Sequence, residues 1–264
     1  MNTGITHRWS KFVNKKNGRS LIIPIDHGLT SGPMAGINNF SAVESWINSS
    51  HIDGIVVHPG FLYHLVKHNL LLGTAVCLQI NGNSHLAQDA SFKPLLSNAD
   101  LAMQLGADAI SLDLPFSQHN TAQNLIQLGQ VMQHTIPRGI PVLVMFSLIE
   151  SDLSDKEYVT RHRKYIRTFS EMGVTALKLR KPARSELLFE ITDGLTQDIN
   201  LLFAGGEPSS DDEIVDFTSV IMAAKAQGLC IGRNVFQSEN PAQLLNRLQQ
   251  VLSTQEAYSL NGVF

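Results

Sequence analysis

Eight short, β-branched apolar runs recur along the chain, and their regular spacing constrains the fold more than any other feature. They read LIIPI at 21–25, DGIVV at 53–57, TAVCLQI at 74–80, ADAISL at 107–112, PVLVMF at 141–146, VTALKL at 174–179, INLLFA at 199–204 and GLCI at 228–231. Each is nearly continuous in apolar character, as parallel strands covered by helices require. The stretches between them, such as LLSNADLAMQLG, SDKEYVTRHRKYIRTFSEMG and SDDEIVDFTSVIMAAKAQG, begin near Ser, Asp or Asn and end on Gly. Those are helix N-cap and C′ preferences. Three junctions look alike (QLGADAISL, EMGVTALKL and AQGLCIGR), and the repeat of about 30 residues fits a βα module. The pattern predicts a closed (β/α)₈ barrel, with a doubly wound open sheet as the alternative. No linker interrupts it, so one domain is expected over residues 1–264. A barrel places its working residues at the C-terminal ends of its strands.

Composition narrows the function classes. The chain is 43% hydrophobic and 16% charged, with a formal net charge of −3. That balance argues against nucleic acid or an anionic membrane as the partner. No run reaches the length of a membrane span, and the first twenty residues lack the apolar centre of a secretory leader. The two cysteines, Cys77 and Cys230, sit inside apolar runs, which fits buried thiols in a reducing compartment. A cytoplasmic, soluble protein is expected.

Lys178 lies inside a strand-like run where a lysine is out of place. Strand alternation sends Lys178 and Arg180 to one side and Leu177 and Leu179 to the other. With the leucines packed on the helices, Lys178 faces the barrel axis. Burial and a neighbouring cation both favour the neutral amine, the form that attacks a carbonyl. A lysine snorkelling at a strand end is the plainer alternative.

Asp26 and His27 follow the first strand directly, where a carboxylate can act in acid–base chemistry or simply open a turn before Gly28. After the seventh strand comes AGGEP, and after the eighth IGRN. In barrels these two loops often bind phosphate through free amides, so Gly205, Gly206, Gly232 and the guanidinium of Arg233 form a candidate anion site. His64 and His68 are four apart, as metal ligands on a helix can be, but no acid lies between them and a solvated face is the simpler reading. Met103, Met132 and Met172 read as core filling.

Taken together, IPIDHGLTSGPMAGI, LGADAIS, MGVTALKL, FAGGEP and IGRNVFQ occur in an order and spacing that resembles the archaeal-type class I fructose-bisphosphate aldolase family. That family includes 2-amino-3,7-dideoxy-heptulosonate synthases and the thiolase that processes phosphorylated autoinducer-2. The resemblance covers about residues 8–251. It implies that Lys178 is the Schiff-base lysine, Asp26 the acid/base carboxylate, and Gly205, Gly206, Gly232 and Arg233 the phosphate-binding segment of a metal-independent enzyme with no cofactor. It also implies a phosphorylated small-molecule substrate and a homo-oligomer, often a decamer.

One departure stands out. Family aldolases carry a proton-transferring tyrosine after the fifth strand, and ungapped alignment puts Ser147 there. A serine is a far weaker acid with a shorter reach, so Asp26, His27 or water would have to take over. The expected function is a Schiff-base aldolase or transaldolase acting on a ketose phosphate or dihydroxyacetone phosphate. The alternatives are thiolase-like acyl transfer from a phosphorylated diketone to coenzyme A, and a non-catalytic phospho-sugar-binding paralogue. A metal-dependent aldolase using the histidines is a further, weaker one.

Overall fold

The computed structural model describes residues 3–71, 73–87, 91–150 and 152–254. Eight parallel strands close into a barrel in sequence order: β1 (Ser20–Pro24), β2 (Gly54–Val57), β3 (Ala75–Gln79), β4 (Ala109–Phe116), β5 (Val142–Leu148), β6 (Ala176–Leu179), β7 (Asn200–Phe203) and β8 (Gly228–Cys230). The helices are α1 (Thr3–Trp9), α2 (His27–Ser31), α3 (Phe40–Ile47), α4 (Pro59–Lys67), α5 (Ala99–Gln104), α6 (Thr121–Thr135), α7 (Asp155–Glu171), α8 (Leu187–Thr192), α9 (Asp211–Ala223), α10 (Arg233–Phe236) and α11 (Pro241–Ser253). The barrel is as the repeat predicts, with one strand longer than expected: β4 runs on to Phe116.

Alternation along each strand divides the apolar residues into two cores. Leu21, Ile23, Leu177, Leu179 and Phe203 face outward and pack under the helices. Ile22, Val56, Cys77, Ala109, Leu143, Met145, Ala176, Leu202 and Cys230 fill the barrel itself, together with Trp9 and Phe12. Both cysteines are free and buried, as the apolar runs around them suggested. Burial pushes both thiols up, Cys230 to about 11.

Trp9 and Phe12 close the N-terminal end. Their rings stack with centroids 5.2 Å apart, and the Phe12 ring occupies the space that a Cβ on Gly54 would take. Around this floor, Asp53 accepts a 2.8 Å hydrogen bond from the Leu21 N–H. Asp108 accepts from the Val76 N–H and pairs with Lys11 at 2.6 Å. Desolvation raises the Asp53 carboxyl to about 6, against the lowering effect of its hydrogen bonds.

The helix signals operate largely as expected. Ser154 and Ser210 form capping boxes with Glu157 and Glu213, and Asn39 and Asn98 cap α3 and α5 through their side chains. Two readings need correction. The helix before β8 ends at Ala223, and Lys225, at φ +57, takes the left-handed turn that was assigned to Gly228. Gly228 instead serves the seam between β8 and β1, where a Cβ would lie 2.1 Å from the Ser20 carbonyl oxygen. Met103 is 44% exposed and fills no core, whereas Met132 is buried.

Candidate active site

The C-terminal mouth of the barrel holds a cavity of about 430 Å³ between β4 and β8. Lys178 enters it from β6. Its neighbours Leu177 and Leu179 face the outer core, as the alternation predicted, and its Nζ lies 3.8 Å from the Met145 sulfur. Met145 pairs in register with Lys178 on one side and with Asp113 on the other. Ser147 is buried in the wall of the same cavity, at the end of β5. Arg180 lines the rim and is exposed, so it is a solvated cation at the entrance.

The glycine loops form the far wall. Gly205 and Gly206 follow β7, and Gly232 and Arg233 follow β8, all against this cavity. Among the described residues the N–H groups of Gly205, Gly206 and Gly232 find no backbone acceptor. Gly232 is required by close approach: a Cβ there would come within 2.7 Å of the Pro24 carbonyl oxygen and 2.8 Å of the His27 ring. The helix that follows, α10, is a single turn, so this wall offers amides and a guanidinium rather than a long helix dipole. Arg233 makes a bidentate pair with Glu207, at 2.7 and 3.1 Å, and donates to the Gly206 carbonyl at 3.3 Å. Glu207 is 84% exposed, and the guanidinium beside it holds its carboxyl below the usual range.

His27 also lines the cavity. Its ring meets Phe236 edge-on, with centroids 5.4 Å apart. Its Nδ1 is 3.7 Å from an Asp26 oxygen, too long for a hydrogen bond, and finds no other partner. Desolvation lowers the imidazole below its ordinary value; Asp26 works against that, while Lys178 and Arg233 add to it. The balance favours the uncharged ring.

Asp26 is the N-cap residue of α2, directly before His27. It borders a neighbouring cavity of about 540 Å³, with His58, Leu29, Met34 and Phe61. Burial likewise holds His58 below the ordinary imidazole value, although Asp26 raises it. The structure thus joins Lys178, His27, Ser147, Arg180, Arg233 and the glycines around one space, with Asp26 near enough for its charge to act on His27 and Cys230 in the lining.

Several lining residues were not singled out from the sequence. Lys181 lies in the cavity wall with its Nζ 4.6 Å from the Phe217 ring centroid. Asp113 projects from the unexpected extension of β4, and its carboxylate pairs with Lys93 from the loop after β3. Four cationic side chains (Lys178, Arg180, Lys181 and Arg233) line the cavity against two acids, Asp113 and Glu207. Such a space favours an anionic ligand.

The paired histidines are not arranged as ligands: both rings lie against Phe40, with His68 stacked at 4.5 Å. Among the described residues no group of three or more His, Cys, Asp or Glu side chains could hold a metal ion, and no helix is long and apolar enough to cross a membrane.

The chain is 28% identical over 252 residues to 2-amino-3,7-dideoxy-D-threo-hept-6-ulosonate synthase 1 of Archaeoglobus fulgidus, covering 94% of this chain and 91% of that one. It is 23% identical to the 2-amino-4,5-dihydroxy-6-oxo-7-(phosphonooxy)heptanoate synthase of Streptomyces griseus, over 89% and 85% of the two chains. An archaeal fructose-1,6-bisphosphate aldolase, whose structure has its catalytic lysine covalently bound to a carbinolamine intermediate, superposes with a TM-score of 0.81 at 16% identity, covering 94% of this chain and 99% of that one. That likeness extends the barrel fold to this chain. The model of the DeoC/LacD family of aldolases matches residues 20–238, and the chain belongs to that family.

Proposed function

We propose that this protein is a class I aldolase or transaldolase that joins or cleaves a carbon–carbon bond in a phosphorylated ketose or dihydroxyacetone phosphate. The observation that carries this reading is the amine of Lys178 in the same cavity as the Arg233 guanidinium and the unpaired amides of the two glycine loops. A phosphate held at that wall by charge-assisted hydrogen bonds presents the rest of a short ketose to Lys178. Nζ then adds to the carbonyl carbon, and loss of water leaves an iminium. Its positive nitrogen draws electron density from the adjacent carbon, so the bond one carbon further on can break, or form in reverse.

The cationic lining supports an anionic substrate, and the lowered His27 imidazole has an unpartnered Nδ1 beside it. Glu207 sits where it competes for Arg233, so substrate binding exchanges one anion for another. By analogy with the two relatives, whose named products carry an amino group and a carboxylate chain, amino-carboxylate aldehydes are the first acceptors to screen.

The test is borohydride reduction in the presence of dihydroxyacetone phosphate, followed by peptide mass spectrometry. A reduced adduct on Lys178, absent from Lys178→Met, is the expected result. Ligand binding with no adduct at any lysine would overturn the Schiff-base reading and favour a binding paralogue. Turnover that requires coenzyme A would favour acyl transfer instead.

A further inference from the structure

The carbon–carbon step needs a group that removes a hydroxyl proton and returns it to carbon, and Ser147 cannot do this. Asp113 meets the requirement by position. It projects from β4 into the cavity that holds Lys178, and in the register of the sheet the two flank Met145. Two strand spacings put their Cα atoms roughly 10 Å apart, a gap that a three- to six-carbon substrate bound to Lys178 spans. Asp26 borders the adjacent cavity and acts on His27 by its charge, so the test below sets the two carboxylates against each other.

The placement of Asp113 is built from within the barrel. Asn81, fully buried, accepts from the Asp113 N–H at 2.8 Å and donates to the carbonyls of Asp113 and Lys93, at 3.0 and 3.1 Å. Gln79, also buried, donates to the Asn81 side-chain oxygen at 2.8 Å and is held in turn by Ser111. Gln127 of α6 donates to the Lys93 carbonyl at 2.9 Å. One buried amide thus fixes the backbones of both residues and brings the Lys93 ammonium onto the Asp113 carboxylate. Lys93 is only 19% exposed on its side chain and Asp113 31%; a surface pair would need no such support.

We propose that Asp113 is the proton-transferring carboxylate of the carbon–carbon step and that Lys93 is its positioning residue; this rests on the Schiff-base reading above. In the cleavage direction, an Asp113 oxygen takes the proton of the hydroxyl on the carbon beyond the scissile bond. That carbon becomes a carbonyl, and the electron pair of the broken bond forms the enamine as the iminium π pair returns to the Lys178 nitrogen. Asp113 then gives the same proton to the enamine carbon, regenerating the iminium for hydrolysis. In synthesis the steps run in reverse.

The test compares three readouts on the full chain: the trapped adduct with dihydroxyacetone phosphate, exchange of the carbon-bound hydrogen of that compound in D₂O followed by NMR, and turnover with an aldehyde. Asp113→Asn is expected to keep the adduct while exchange and turnover fall about 10²–10⁴-fold. Lys93→Met is expected to lower kcat with little change in KM, and Lys93→Arg to restore most of it. Should Asp113→Asn fold poorly, Asp113→Glu, which keeps the carboxylate but moves it, is expected to retain the adduct and part of the exchange. Undiminished exchange in a folded Asp113→Asn protein that still forms the adduct would overturn this assignment alone. Exchange abolished by Asp26→Asn but not by Asp113→Asn would do the same. No adduct in the unaltered protein would overturn the Schiff-base reading, and this one with it.

Discussion

The two ends of the barrel are built from the same strands and could hardly differ more. At the N-terminal end, Trp9 and Phe12 stack across the opening, and the nearby acids Asp53 and Asp108 each accept a strand N–H. At the C-terminal end, amides lack backbone acceptors, a histidine nitrogen has no partner, and cations outnumber acids around an open space. At the floor the acids serve strand amides, although the Trp9 indole nitrogen there has no partner; at the mouth the amides and cations face open space. The lesson is that closure of the barrel and chemistry in it are separable: the floor carries stability and the mouth carries reactivity.

Four substitutions test that division. Lys178→Met should remove turnover by on the order of 10⁴-fold or more, with a melting temperature no lower than that of the unaltered protein; comparing kcat with thermal denaturation checks both halves. A large loss of stability would show that the mouth also holds the fold together. Phe12→Ala is the mirror experiment. Emptying the floor should cost about 3–5 kcal/mol in denaturant unfolding, with kcat intact where the protein remains folded.

Arg233→Gln removes the charged anchor and should weaken binding of the phosphorylated substrate by about 10- to 100-fold, consistent with about 1.5–3 kcal/mol for hydrogen bonds to a charged group. KM for a phosphorylated substrate and for its dephosphorylated analogue separates this from a general defect, since only the former should change.

The smallest effect belongs to Asp53. Its folded-state value is raised from an ordinary 3.8 to about 6, so folding favours the neutral acid. Its contribution to stability is fully present below pH 3.8 and lost as the pH rises through 6. Asp53→Asn keeps an acceptor for the Leu21 N–H without the charge. It should match the unaltered protein near pH 4 and exceed it by about 1–2 kcal/mol above pH 7; unfolding curves at the two pH values check the sign.

How much of this was legible beforehand follows from what each residue depends on. The barrel was readable because eight apolar runs and their capped helices are local signals that all agree, and the inward aim of Lys178 followed from the alternation of a single strand. Asp113 was hidden because the apolar run stops at Leu112, and a charged residue followed by Pro115, rare inside a sheet, gives no sign that β4 continues to Phe116. In the structure the Pro115 carbonyl accepts from Asn120 and Asn124 instead. Lys93 carried no signal of its own, since its role depends on a loop folding back onto Asn81. The pattern puts Asp26 at the end of its strand beside His27, but which of two adjoining cavities it borders depends on how the loops close over the mouth.

The pairing of β1 with β8 also has a consequence for how the protein is made. Ser20 lies beside Gly228, so at about 5–20 residues per second of synthesis the first strand waits on the order of 10–40 s for its neighbour. Throughout that interval β1 presents an open edge of the kind that recruits foreign strands. The loop bearing Gly232 and Arg233 follows β8, so a nascent chain short of that strand carries Lys178 with only the Gly205–Gly206 half of the far wall.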